Sequence, residues 1–334
     1  MGLGPSNHKH MKQRPTPIRG VDTASLTSHQ THTMAIPFPN ISPEIFSFDI
    51  GSMHFAVRWY AMGYIVGIAI GWAIIRAAIK RPWLWAGDRA GMTLEQLESL
   101  VTWMVVGIIV GGRLGFVLFY QPAYYLANPL DIPKVWQGGM SFHGGFLGVV
   151  VGVILFARRH GLVLGTTSDL LAIATPPALG LVRTANFINA ELWGRPTDAP
   201  WGVIFPGEAA QACATLAGPC ARHPSQLYEA GLEGIVLSLI LLTLAFRFLW
   251  LKRPWMLTGV FLAGYGVSRF IVEFYRQADP QFITADNPMG HVIRLGEAGL
   301  TMGQVLSTPM IVVGIALLLW AARRPAAPTA MAAT

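Results

Sequence analysis

The sequence predicts an all-α, polytopic membrane protein: seven transmembrane helices, with a small extracytoplasmic cap inserted between the fourth and the fifth. Three observations predict it. Of 334 residues, 53% are hydrophobic and only 12% are charged, whereas soluble domains carry roughly 25% charge. That composition, with a mean hydropathy of +0.47, excludes a water-soluble enzyme, a disordered chain and a disulfide scaffold. Seven runs are long enough to cross the hydrocarbon layer, which takes roughly 17–25 mostly apolar residues. Basic residues in the connections favour one side of the membrane at every crossing.

Taken in order, the first run covers 55–75 and carries Gly63, Gly67 and Gly71. The second, 97–120, carries Gly107, Gly111 and Gly115, and the third, 140–157, carries Gly144, Gly148 and Gly152. Glycine every four residues lets helices approach closely in lipid. The fourth run, 170–189, is the least regular, because it contains Pro176-Pro177 and the polar Arg183, Asn186 and Asn189. A segment of about 40 residues, 190–229, then leaves the membrane and is long enough to fold as a cap. The remaining runs are 230–249, 257–276 and 304–322. Trp59, Tyr60, Tyr120, Tyr124, Tyr125 and Trp136 fall at one set of ends and Trp83, Trp85, Trp250, Trp255 and Trp320 at the other, where amphipathic rings anchor at both interfaces.

Of the 24 basic residues, eleven lie in connections on one side (Arg76, Lys80, Arg81, Arg89, Arg158, Arg159, Arg247, Lys252, Arg253, Arg323, Arg324). Four lie in connections on the other (Lys134, Arg195, Arg222, Arg294). The positive-inside rule makes the first side cytoplasmic, the N-terminus extracytoplasmic and the C-terminus cytoplasmic. The formal net charge of +7 is thereby explained by topology, without nucleic acid. Residues 1–35 lack apolar periodicity and a signal-peptide pattern, so a disordered tail is expected there. Residues 36–325 form the membrane domain and 326–334 a flexible tail. Four basic residues on an outer tail conflict with the topology, and a working start at Met34 resolves the conflict.

Ionisable groups inside spans are expensive and functional by default. Arg183 and Asn186 share a face near the outer end of the fourth run. Tyr265, Arg269 and Glu273 follow at i, i+4, i+8 on the sixth, with Arg276 beyond. His143 opens the third run in Ser141-Phe142-His143-Gly144-Gly145, and Tyr60 lies early in the first. An intrahelical Arg269–Glu273 ion pair is the plain reading, but two arginines on separate helices at one depth suit a bound phosphate, and a phospholipid headgroup is the natural one there. Arg113, in Gly112-Arg113-Leu114, reads as a helix-to-helix hydrogen-bond donor. Cys213 and Cys220, the only cysteines, form a local disulfide or remain idle thiols. No phosphate-loop, dinucleotide or His-Glu-x-x-His motif occurs, so no metal and no cofactor are expected.

These residues sit in stretches that resemble the bacterial prolipoprotein diacylglyceryl transferases. The matching stretches are Arg58-Trp59-Tyr60, Gly111-Gly112-Arg113, Gly138 through Gly145, Arg183 through Arg195, Arg222 through Glu229, Gly264-Tyr265-Gly266, Arg269 with Glu273, and Met302-Gly303-Gln304. They cover most of 40–322 in the right order. Where that family usually has Gly-Arg-Leu-Gly-Asn-Phe, this chain reads Val182-Arg183-Thr184-Ala185-Asn186-Phe187. The resemblance implies an inner-membrane enzyme that moves a diacylglyceryl group from phosphatidylglycerol to the lipobox cysteine thiol of a preprolipoprotein signal peptide, forming a thioether and releasing glycerol phosphate. It implies important roles for Tyr60, His143, Arg183, Asn186, Glu191, Gly194, Tyr265, Arg269 and Glu273. In that reading His143 is a candidate base, Arg183 and Arg269 stabilise the departing phosphate, Glu273 orients Arg269, and Tyr265 and Asn186 donate to headgroup oxygens.

A transporter or channel with an anion site is the main competing class. It also needs buried charge, but seven dissimilar helices do not divide into the repeated halves common there. A lipid-binding scaffold without turnover ranks third.

Overall fold

The computed structural model describes residues 35–51, 53–213, 219–296 and 298–324. The tails expected over 1–35 and 326–334, and the Met34 start, lie outside the described residues apart from Ala35. The chain is mostly helical. Its long apolar helices are α1 (Trp59–Ile79), α2 (Leu94–Phe119), α3 (Phe142–Arg159), α4 (Leu164–Ile188), α5 (Ser225–Phe246), α6 (Met256–Val272) and α7 (Met302–Ala322). Six are long and apolar enough to cross a membrane, and α6, at 17 residues, is shorter. Large hydrophobic side chains such as Ile65, Leu118, Leu239, Leu306 and Val312 remain exposed on the outer faces, as lipid rather than water requires. The chain is a multi-pass membrane protein. To the all-α expectation the structure adds three short two-stranded ladders, one of them joining Ile36–Pro37 to Val203–Ile204.

Glycine sets the helix pairing. A Cβ on Gly144 would lie 2.9 Å from the Gly115 Cα, and one on Gly67 2.9 Å from the Ala178 Cα. Backbones that close leave no room for larger residues, so α2 pairs with α3 and α1 with α4. On the same principle Gly259 of α6 faces Gly314 of α7, and Gly180 of α4 faces Gly234 of α5. Arg113 is buried, and its guanidinium donates to the carbonyls of Asp131, Ile132, Gly138 and Gly139 at 2.6–3.2 Å. It is a helix-to-loop clamp that fixes the connection entering α3.

The main core gathers Trp85, Phe156, Leu170, Ile173, Leu241 and Leu257 at the basic end of the bundle. At the opposite end the chain between α4 and α5 builds a second, smaller core from Val203, Phe205 and Ala210, against Phe38, Phe187 and Trp193. A Cys213–Cys220 disulfide closes one loop of this segment. Helix α5 begins at Ser225, ahead of the apolar run at 230. Its first turn is tied down by Ser225 Oγ donating to the Leu192 carbonyl and Gln226 Nε2 to that of Glu191.

Candidate active site

Helices α4 and α6 run toward the end of the bundle from which α5 and α7 start. The last turns of the first pair and the first turns of the second therefore meet, and there the charges collect. Glu229 and Glu233, one turn apart on α5, have fully buried side chains (0% exposed). Arg183 of α4 places Nε 3.0 Å from Glu229 and 3.6 Å from Glu233. Arg269 of α6 donates one guanidinium arm to Glu229 and holds Glu273 at 3.1 Å with the other. Arg276, just past α6, reaches Glu229 at 2.8 Å and Glu273 at 3.7 Å. Glu229 is thus shared by three arginines, one from α4 and two from the end of α6 and the residues just past it. The Gly180–Gly234 contact brings α4 and α5 close enough for this. Tyr265, one turn before Arg269, adjoins Arg183.

The start of α7 supports the far side. Thr301 caps the helix, its Oγ1 accepting from the Gln304 amide and donating to Glu273 Oε1 at 3.1 Å. A carboxylate at a helix N-terminus also meets the positive end of the helix dipole. Gly303 makes the space, since a Cβ there would stand 2.5 Å from Glu273 Oε2. Gly303→Ala is expected to displace the carboxylate from Arg269 and Thr301. Overpacking of this kind costs about 1–3 kcal/mol, so thermal unfolding in detergent should shift down and turnover should fall. Parent-like melting and turnover would contradict the placement.

A second set of groups adjoins this cluster. Asn186 Nδ2 donates to Glu191 Oε1 at 2.6 Å, and Asn189 reaches the same oxygen at 3.4 Å. Ala190 and Leu192, on either side of Glu191, have positive φ of 53° and 58°, a conformation unusual outside glycine and common at functional sites. The Gly194 amide donates to the His223 carbonyl, and a Cβ on Gly194 would meet His223 and the Tyr275 carbonyl. Arg222 clamps the segment, donating to the carbonyls of Ala210, Ala212 and Gly194 while lying 4.0 Å over the Trp193 ring. Burial holds Arg222 and His223 below their ordinary pKa values, since desolvation disfavours the charged form, and the His223 ring lies 3.0 Å from the Tyr228 hydroxyl.

The structure therefore brings Arg183, Arg269, Glu273 and Tyr265 together, with Asn186, Glu191 and Gly194 adjoining. The plain Arg269–Glu273 pair exists, but as one edge of a larger network. Tyr60 and His143 stand apart. Tyr60 is exposed and shares a 3.2 Å hydroxyl contact with Tyr64. It lies toward the Arg183 end of α4, since Gly63 packs on Leu181 and Val182. His143 is exposed at the start of α3, its ring against Phe142, and among the described residues no hydrogen bond or ion pair joins it to the cluster. The sequence reading assigns no role to Glu229, Glu233 or Arg276. The available signal is two acidic residues at i, i+4 where an apolar helix begins, which calls for cationic partners.

The fold and site define a polytopic membrane protein built around a buried arginine–glutamate network at one end of its helices. Comparison with known proteins gives the family. The sequence model described as "Prolipoprotein diacylglyceryl transferase" matches residues 46–320, and the chain belongs to that family. Among similar proteins, one from Cereibacter sphaeroides is 60% identical over 288 residues, covering 86% of this chain and 98% of the relative. One from Roseobacter denitrificans is 57% identical over 283 residues, covering 85% and 96%. One from Ruegeria pomeroyi is 57% identical over 289 residues, covering 86% and 98%. All three carry the name phosphatidylglycerol–prolipoprotein diacylglyceryl transferase.

Proposed function

We propose that this chain transfers the diacylglyceryl group of phosphatidylglycerol to the lipobox cysteine thiol of preprolipoproteins, the first step of bacterial lipoprotein maturation. Family membership supports the reaction, and the observation that carries the site is the convergence of Arg183 from α4 with Arg269 and Arg276 from the end of α6 on one buried carboxylate. In this reading seven helices, the short α6 included, cross the inner membrane. The N-terminus and the 190–229 cap are extracytoplasmic, the C-terminus is cytoplasmic, and the substrates are phosphatidylglycerol and the signal peptide, with no nucleic acid.

The nucleophile belongs to the peptide, so the chain needs no reactive cysteine of its own. The thiolate attacks the carbon of the diacylglyceryl group that bears the phosphate. A C–S bond forms, the C–O bond breaks, its electron pair stays on the phosphate oxygen, and glycerol phosphate leaves. Arg183 and Arg269 stabilise the charge that grows on that oxygen, because guanidinium groups fixed in a water-poor site need no reorganisation as it develops. Glu273, held by Thr301 and Gly303, orients Arg269. Tyr265 and Asn186 donate to headgroup oxygens, while Glu191 and Gly194 shape the wall beside them. A thiol attacks best as thiolate; His143 at the start of α3, which stands apart from the network, is the candidate base beside the arginine field itself, and Tyr60 of α1 is a candidate lipid contact.

The test is incubation of the purified protein with phosphatidylglycerol and a lipobox peptide, with a Cys-to-Ser peptide as control. Thioether product and glycerol phosphate are expected with the cysteine peptide alone. Glycerol phosphate without thioether, or neither product, would overturn the reading.

A further inference from the structure

The network is electrically closed before any ligand arrives. Three guanidinium groups pair with the carboxylates of Glu229, Glu233 and Glu273, so with every group ionised these six groups sum to zero; Arg195, farther from Glu273, donates instead to the Arg276 carbonyl and to Met289. A phosphodiester drawn to Arg183 and Arg269 adds one negative charge to a buried site, and it must also compete with carboxylates that already hold those arginines. Uptake of one proton by a carboxylate removes both obstacles at once: it restores neutrality and frees an arginine from one of its carboxylates.

The geometry singles out which carboxylate. Glu229 is bound by three arginines. Glu273 is bound by two and by the Thr301 hydroxyl. Glu233 has only Arg183, at 3.6 Å, and that arginine lies closer to Glu229. Its side chain is 0% exposed, and among the described residues neither of its oxygens accepts a hydrogen bond. Donated hydrogen bonds are what hold a buried carboxylate in its ionised form, and Glu233 lacks them. It also lies in a π-helical stretch, Ala230–Val236, an irregularity that is rare in helices and frequent at functional sites. The charged and titratable groups around it are Arg183 of α4, Tyr265 and Arg269 of α6, Arg276 beyond α6, and Glu229 on its own helix.

We propose that Glu233 is a positioning residue that takes up one proton from solvent as the lipid phosphate binds, leaving Arg183 with Glu229 as its one carboxylate partner so that the rest of its guanidinium turns to the phosphate. No lipid bond is made or broken in this step; the phosphodiester remains a monoanion and the proton returns to solvent when glycerol phosphate departs. The proposal rests on the diacylglyceryl-transfer reading but is tested on binding alone, so the two fail separately.

Binding that takes up a proton weakens as pH rises, by about tenfold per pH unit once Glu233 is ionised in the free protein. The experiment uses the full chain in phosphatidylcholine nanodiscs and titrates phosphatidylglycerol from roughly pH 6 to 9. The parent is expected to show that slope. Glu233→Gln, uncharged and nearly isosteric, is expected to bind with the parent's low-pH affinity and no slope, which a merely structural role for Glu233 would not produce. A flat parent, or a Glu233→Gln variant that keeps the slope, overturns the proposal. If that variant does not fold, calorimetry of the parent in two buffers of different ionisation enthalpy decides: one proton taken up per lipid supports the proposal, and none overturns it.

Discussion

Glu229→Ala is expected to abolish transfer and to destabilise the protein by about 3–5 kcal/mol, the cost of removing one partner from a buried ion pair. The size of the effect follows from the sharing. Arg183, Arg269 and Arg276 all take Glu229 as a partner, and its side chain is fully buried, so the truncation removes the shared counter-charge and leaves the three arginines with only Glu233 and Glu273. Glu229→Gln keeps the shape and loses the charge, and should fall between parent and alanine variant. Thermal unfolding in detergent and the peptide transfer assay check both. An alanine variant that melts and turns over like the parent would show that the arginines are held by other means.

The second large effect is expected at Arg269. It bridges Glu229 with one arm and Glu273 with the other, which requires a planar fork. Lysine preserves the charge but is a single point donor, so Arg269→Lys cannot span both carboxylates and cannot offer two parallel donors to a phosphate. Charge-assisted hydrogen bonds of this kind are worth about 1.5–3 kcal/mol each. The variant should therefore lose roughly 10- to 100-fold in kcat/KM for phosphatidylglycerol, with folding retained. Parent-like kinetics would exclude two-armed recognition at this residue.

Much of the fold is legible because the membrane allows few solutions. Each apolar run expected from the sequence contains a helix, and the four-residue glycine spacing marks the faces that pair, as Gly144 against Gly115 shows. What shifts is where helices begin and end. Helix α5 starts at Ser225, because Ser225 and Gln226 bond to the backbone of Leu192 and Glu191, a long-range contact with no local signature. Helix α6 stops at Val272 rather than near 276, which lets Glu273 and Arg276 both turn into the network.

In the site, Arg183, Arg269 and Glu273 are readable, whereas Glu229 and Glu233 are not. Arg183 and Arg269 stand out as charges inside apolar runs, whereas Glu229 lies in a polar stretch that reads as cap until the early start of α5 places it inside the bundle. Periodicity relates residues of one helix only. It therefore exposes the Arg269–Glu273 pair but not Glu229, the carboxylate that joins the arginine of α4 to the two at the end of α6.

The central claim is that the arginines of this network hold the lipid phosphate. Solid-state NMR of the parent with 15N-labelled arginine in bilayers containing phosphatidylglycerol, read as 31P–15N dipolar couplings, tests it most directly. Short-range coupling from the bound phosphate to the guanidinium nitrogens of Arg183 and Arg269, with the Arg269 signal absent in Arg269→Lys, is the predicted result. Phosphate coupling only to other arginines, with none to these two, would contradict the account.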